Sequence, residues 1–214
     1  MLIKWHGHAC WEIESADGLK IVTDPHDGKA IGIKPPVVEA DIVLMSHDHF
    51  DHNCDRIVQG ANKEVVTGPG AKTVKGIQIN GVHSYHDEDE GSKRGENIMF
   101  NFEVDGIKLC HLGDLGEQLD RTQVEGLGEI DILFIPVGGT FTVDADGAWD
   151  VIKALNPKVV IPMHFRVGGL SLSIAPVDGF LERADQDLIT RVGNEIELTK
   201  EDMPGEQHIW VFSL

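Results

Sequence analysis

Seven consecutive residues, Ser46-His47-Asp48-His49-Phe50-Asp51-His52, hold the densest concentration of metal-ligating side chains in this sequence. They follow directly on an apolar segment that ends at Met45. A loop leaving the end of a strand can aim several side chains at one point. His47 and His49 are two residues apart, so on extended backbone they project the same way. Asp51 and His52 then turn toward a second position, and one such loop can serve two divalent ions lying close together. The chain contains eleven histidines, several of them beside Asp in short clusters. Clustered imidazole and carboxylate are the ligands that divalent transition metals select.

The run His47-x-His49-x-Asp51-His52 resembles, without a gap, the HxHxDH signature of the metallo-β-lactamase superfamily. Further landmarks follow in the family's order: His86 after the segment Ile77–Tyr85, Asp114 in His111-Leu112-Gly113-Asp114, and His164 in Ile161-Pro162-Met163-His164. The resemblance runs from about Trp5 to Phe165. It implies an α+β fold, a four-layer αββα sandwich, formed as one domain over residues 1–214. It also implies a binuclear centre, with His47, His49 and His86 on one ion, Asp51, His52 and His164 on the other, and Asp114 bridging. Zinc is the first expectation, with manganese and iron as alternatives, since both accept similar donors. In that family a metal-bridged hydroxide attacks the substrate, and Asp51 is the residue expected to orient that water and take its proton. His83 competes with His86 for the third motif, and His86 is preferred because it falls at the strand end.

Four shorter segments resemble the ascorbate-6-phosphate lactonase-like hydrolases within the superfamily: Gly7-His8-Ala9-Cys10, Thr23-Asp24-Pro25, Gly95-Glu96-Asn97 and Pro136-Val137-Gly138-Gly139. They make His8, Asn97 and Gly139 expected substrate contacts, with a structural role for His8 weighed equally. Asp24 is expected to support a metal-ligand histidine from behind, a position carboxylates often take. Lys93 and Arg94 lie on a Gly-rich segment starting at Gly91, read as a flap; they and Arg166 are the basic groups that could meet an anionic substrate. His111 reads as a packing residue, and His6, His26 and His208 as structural or surface residues.

The elements that must position these residues read as short strands first: Ile3–Trp5, Cys10–Glu14, Leu19–Thr23 and Ile42–Ser46, each bounded by Gly, Asp or Pro. A short helix is expected over His52–Gln59, then strands Gly76–Ser84, Ile98–Val104 and Ile107–His111, the last two joined by Asp105-Gly106. Ile132–Pro136 and Val159–Pro162 are continuous apolar runs, as in strands buried on both faces. Helices are expected at Asp144–Leu155, with Asp144 as N-cap, and at Val177–Ala184. Closing strands are expected at Glu195–Thr199 and His208–Ser213. Strands early and strand–helix–strand units later suit two facing sheets with helices outside.

Composition narrows the function. The net charge of −18 argues against a nucleic-acid partner. No apolar run is long enough to span a membrane. Three scattered cysteines without CxxC spacing suggest a reducing, cytoplasmic setting, and the opening Met1–His6 lacks a signal-peptide pattern. His49 stands where flavodiiron relatives place Glu, which argues against redox chemistry. The 49 residues between Asp114 and His164 leave no room for the large inserted domain of the RNA-cleaving branch. The expected function is hydrolysis of a small polar ester, lactone or phosphodiester, with a small molecule as partner. The alternative is a non-catalytic metal-binding sensor or assembly subunit. The complete ligand set favours the enzyme.

Overall fold

The first strands form because their side chains alternate. In β1 (Leu2–Trp5) Ile3 and Trp5 are buried, and in β2 (Trp11–Glu14) Trp11 and Ile13 are buried, with Lys4, Glu12 and Glu14 on the opposite face. The computed structural model describes all of Met1–Leu214. β1 and β2 join β3 (Lys20–Thr23), β4 (Ile42–Leu44), β5 (Glu64–Val66) and, on the other edge, β13 (Glu195–Glu197) in a six-stranded sheet of order β13-β1-β2-β3-β4-β5. Its β3–β4 and β4–β5 pairs are parallel.

The second sheet has eight strands in the order β12-β14-β11-β10-β9-β8-β7-β6. An antiparallel meander of β6 (Gly70–Val74), β7 (Ile77–Tyr85), β8 (Glu96–Val104) and β9 (Ile107–His111) continues into parallel β10 (Ile132–Pro136), β11 (Val159–Met163), β14 (His208–Val211) and β12 (Ile189–Arg191). β10 and β11 are buried at every position, as their apolar runs require. The two sheets close on one core in which Trp11 stacks on Trp5, tilts against Phe134 and meets Phe212 edge-on. This is the metallo-β-lactamase type of α+β sandwich.

Three helices are present: α1 (Arg121–Leu127), α2 (Ala145–Leu155) and α3 (Asp178–Leu181). Asp144 caps α2 as expected, accepting from the Gly147 amide at 3.0 Å. The helix expected at Val177–Ala184 shrinks to the four residues of α3, and that expected over His52–Gln59 is only a 3-10 turn, Asp55–Ile57. The outer face of the first sheet is covered by Val38, Ala40 and Val58 from loops, packed on Cys10, Val22 and Val43, so no amphipathic helix is needed there. Sequence reading missed β5, β6, β12 and α1. α1 carried a signal: Asp120 and Gln123 form a capping box.

Candidate metal centre

Parallel strands end on one edge, and there the chemistry gathers. Asp24 follows β3, the 46–52 loop follows β4, His86 follows β7, Asp114 follows β9 and His164 follows β11. The turn between β1 and β2 adds His8. The edges of both sheets are tied together here by Ile98 N–H donating to the Ser46 carbonyl at 2.9 Å and His164 N–H to the His8 carbonyl at 3.3 Å.

The donor atoms of His47, His49 and His86 lie within 4.8 Å of one another, as do those of His8, Asp51, His52 and His164, and those of His47, His52 and Asp114. Asp114 sits between these groups. Its Oδ2 is 3.2 Å from His86 Nε2, 3.2 Å from His164 Nε2, 3.3 Å from His52 Nε2 and 3.9 Å from His47 Nε2. His83 lies elsewhere: its ring is part-exposed, 3.5 Å from Glu96 and against Tyr85.

Behind the cluster, Asp24 organises two imidazoles. Fully buried, its Oδ1 accepts from the Ser46 amide at 2.7 Å, and its Oδ2 accepts from Ser46 Oγ (2.7 Å), His111 Nε2 (2.8 Å) and His52 Nδ1 (3.0 Å). Because Ser46 Oγ donates to Asp24, its oxygen accepts from His47 Nδ1 at 2.8 Å. Both His47 and His52 are thereby set with Nε2 facing the cluster, the tautomer being fixed by the partner on the other nitrogen. His111, expected to be a packing residue, is thus part of this network.

The electrostatics follow from burial and charge. Burial would raise the Asp24 carboxyl, but His111 and His52 outweigh it and hold the group ionised well below the usual carboxylate range. The same balance holds for Asp114, through His164 and His52, and for Asp51, through the His8 hydrogen bond and His52. Burial pushes His47 down to about 3. His52 rises well above its ordinary value, because Asp114 and Asp24 overcome its desolvation.

A divalent metal fits this donor set. His47 Nε2, His52 Nε2 and Asp114 Oδ1 are buried and have no hydrogen-bond partner. Buried polar atoms without partners are costly, and here they converge from several strands on the same small volume. Imidazole and carboxylate donors at this spacing match transition-metal ligation.

Three expected substrate contacts are corrected. His8 is fully buried, its Nε2 donates to Asp51 Oδ2 at 3.1 Å, and its ring lies 4.1 Å from that of His164. It holds Asp51 and does not face a substrate. Asn97 is also fully buried: its Nδ2 donates to Ser84 Oγ and the Leu112 carbonyl, and its Oδ1 accepts from the Asp114 amide at 3.0 Å. It fixes the backbone of the Asp114 loop. Gly139 is buried in a turn at φ +60° and does not line the cavity over the cluster. Gly113 and Gly138 are required sterically, since a Cβ would collide with Asn97 Oδ1 and the His164 carbonyl, respectively.

The expected flap is pinned. Asp87 accepts from the amides of Asp89, Gly91, Lys93 and Arg94, so one carboxylate orders the whole segment. Lys93 pairs with Asp89, and Arg166 is exposed and does not line the cavity, whereas Arg94 does. That cavity, about 280 Å³, opens over His49, Asp51, His86, Asp114 and His164, with Phe50, Phe141 and Leu172 as its apolar wall. Sequence reading missed these three, because nothing in their spacing marks them.

Comparisons with known proteins identify the family and the fold. Residues 2–164 match the family described as Beta-lactamase superfamily domain. The chain is 30% identical over 188 residues to a UPF0173 metal-dependent hydrolase of Thermoplasma acidophilum, covering 76% of this chain and 82% of that one. Among solved structures it resembles a candidate zinc-dependent hydrolase of the metallo-β-lactamase superfamily from Thermotoga maritima, with 44% identity, a TM-score of 0.82, and coverage of 99% and 97%. A metal-dependent hydrolase candidate from Parabacteroides distasonis shares the fold, with a TM-score of 0.66 and 19% identity over 84% of this chain and 86% of that one.

Proposed function

Because the chain belongs to the β-lactamase superfamily domain family and is a metal-dependent hydrolase of the metallo-β-lactamase superfamily, we propose that it holds two divalent ions, zinc foremost, and hydrolyses a small polar ester, lactone or phosphodiester. One observation carries this reading: two sets of donors flank a single carboxylate oxygen, with His47 Nε2, His52 Nε2 and Asp114 Oδ1 left without partners in the interior. His47, His49 and His86 would hold one ion, Asp51, His52 and His164 the other, and Asp114 both. When bound, such ions supply a water acidified to near neutral pH and polarise the scissile oxygen.

The chain's own residues do the rest. Asp51, ionised and held by His8 Nε2, would orient the attacking water. Asp24 fixes the ring orientations of His47 and His52. The open cavity over the cluster admits a substrate, which a purely structural site would not need. A small-molecule substrate suits the cavity's size, and a cytoplasmic setting suits three free, buried cysteines. No helix is long and apolar enough to cross a membrane.

The test is elemental analysis of the purified protein, followed by rates on a small phosphorylated lactone and a simple phosphodiester, with zinc or manganese loaded. Two ions per chain and turnover of either substrate, both lost in Asp51→Ala, are expected. Two ions with no turnover of any ester, lactone or phosphodiester would overturn the enzymatic reading in favour of a non-catalytic metal-binding subunit.

A further inference from the structure

Resting on that hydrolase reading, we infer that the substrate carries an anionic oxygen group, carboxylate or phosphate, which pairs with Arg94, next to an apolar portion lying on Phe50, Phe141 and Leu172. Among the residues lining the cavity over the cluster, Arg94 is the one Lys or Arg. The chain has 36 acidic residues against 18 basic ones, yet Arg94 has no carboxylate within ion-pair distance. Its guanidinium makes one hydrogen bond, from Nη2 to the Thr140 carbonyl at 3.0 Å, and lies over the Phe141 ring at 5.5 Å from the centroid. A guanidinium has five N–H donors in a planar fork shaped for carboxylate and phosphate. Most of those donors are therefore uncommitted, on a side chain whose direction is already set.

That direction is set from both ends. The Arg94 amide is anchored on Asp87 Oδ2 at 2.7 Å. At the far end Thr140 sits at φ +63°, a conformation costly for a β-branched residue. This turn presents the Thr140 carbonyl to the guanidinium and brings Phe141 under it. Two loops from different parts of the chain, one of them strained, thus converge to fix one unpaired cation at the wall of the metal cavity. Preorganisation of this kind lowers the cost of binding an anion. The wall beside it is apolar: Phe50 is 57% exposed, with Phe141 and Leu172 close by. An ammonium-bearing or fully polar substrate would waste both features.

The test uses three aryl acetates of similar shape: 4-carboxyphenyl acetate, 4-(phosphonooxy)phenyl acetate and the neutral 4-carbamoylphenyl acetate. For the metal-loaded wild type, the better anionic ester is expected to exceed the neutral one in kcat/KM by on the order of tenfold to a hundredfold, the range for hydrogen bonds to a charged group. The gain should appear mainly in KM. In Arg94→Gln the ratio should fall to about one, and Arg94→Lys, which keeps the charge but not the fork, should retain part of it. A metal-free arm reads binding alone: 4-hydroxybenzoate or 4-hydroxyphenyl phosphate should bind the wild type more tightly than 4-hydroxybenzamide does, and lose that margin in Arg94→Gln. The anion with the larger margin identifies the headgroup. A wild-type ratio at or below one, or a ratio that survives Arg94→Gln, overturns the inference and leaves the hydrolase reading intact. Turnover of none of the three esters removes the simple-ester reading and leaves lactone or phosphodiester hydrolysis standing, and the metal-free arm then decides the role of Arg94.

Discussion

Asp24→Asn is the most informative change at the site, because it alters no expected ligand and almost no volume. Four donors converge on the Asp24 carboxylate: the Ser46 amide, Ser46 Oγ, His111 Nε2 and His52 Nδ1. Asparagine has one acceptor oxygen, and its NH2 group would face at least one of these donors with nothing to accept. His52 then loses the partner that frees its Nε2, and His47 loses the Ser46 orientation that frees its own. An outer partner of this kind is typically worth about 10- to 100-fold in metal affinity. Since two expected ligands on two ions depend on Asp24, at least one site should weaken by roughly 100-fold, or about 3 kcal/mol. The metal-free protein should suffer as well. Taking one side from a buried charged network costs about 3–5 kcal/mol, which for a chain of this size lowers Tm by roughly 10 °C. Chelator-competition titrations with zinc, with circular dichroism to verify folding, measure both effects. A folded Asp24→Asn protein that binds two ions with wild-type affinity would show that these histidines are oriented by the cavity and not by Asp24.

Three further outcomes are expected. Asp114→Ala should lose affinity for both ions, read as metal content after dialysis, because its Oδ2 lies within 3.3 Å of His52, His86 and His164; retention of two ions would rule out a bridging role. His83→Ala should leave metal content unchanged, since that ring sits beside Glu96 and Tyr85; loss of an ion would mean the third ligand is misassigned. Far from the site, Asp131 binds the Lys108 amide and the Lys158 and Lys200 ammonium groups; burial opposes its ionisation, but these donors win and hold it at about 2. A folded-state carboxyl lowered from about 4 contributes roughly 2 kcal/mol above pH 4, lost as pH falls toward 2. The stability gap between wild type and Asp131→Asn in urea should therefore be full at pH 6 and narrow between pH 4 and 2; a gap constant with pH would refute the assignment.

The expected ligands were legible because metal chemistry restricts residue type and spacing tightly. His47, His49, Asp51 and His52 needed only their order, and the apolar runs of β10 and β11 identified buried parallel strands directly. What failed was of a different kind. Asn97 reads as a polar residue two positions after a glycine, yet it is buried by the pairing of β8 with β7 and consumed by Ser84 Oγ and two backbone partners. His8 reads as a loop histidine, and only the approach of the two sheets places it behind Asp51. The covering of the first sheet by loops was invisible because Val38, Ala40 and Val58 show no helical period. Each miss concerns a residue whose role depends on a partner more than ten positions away.

Backbone strain marks the same boundary. Eight residues other than glycine have positive φ. Lys75, Glu90 and Asp105 each precede a glycine in a tight turn, and Asn156 caps α2, so local sequence accounts for these four. The other four are His8, Asp24, Thr140 and His164, and no local signal asks for any of them. All four border the cluster or fix a residue that does. Strained backbone persists where surrounding structure over-determines it, and here both sheets supply that constraint. His164 leaves buried β11 with its amide bonded across to the His8 carbonyl, so each strained histidine helps hold the other. These four positive-φ positions are therefore places where the two sheets hold side chains at the cluster or its cavity.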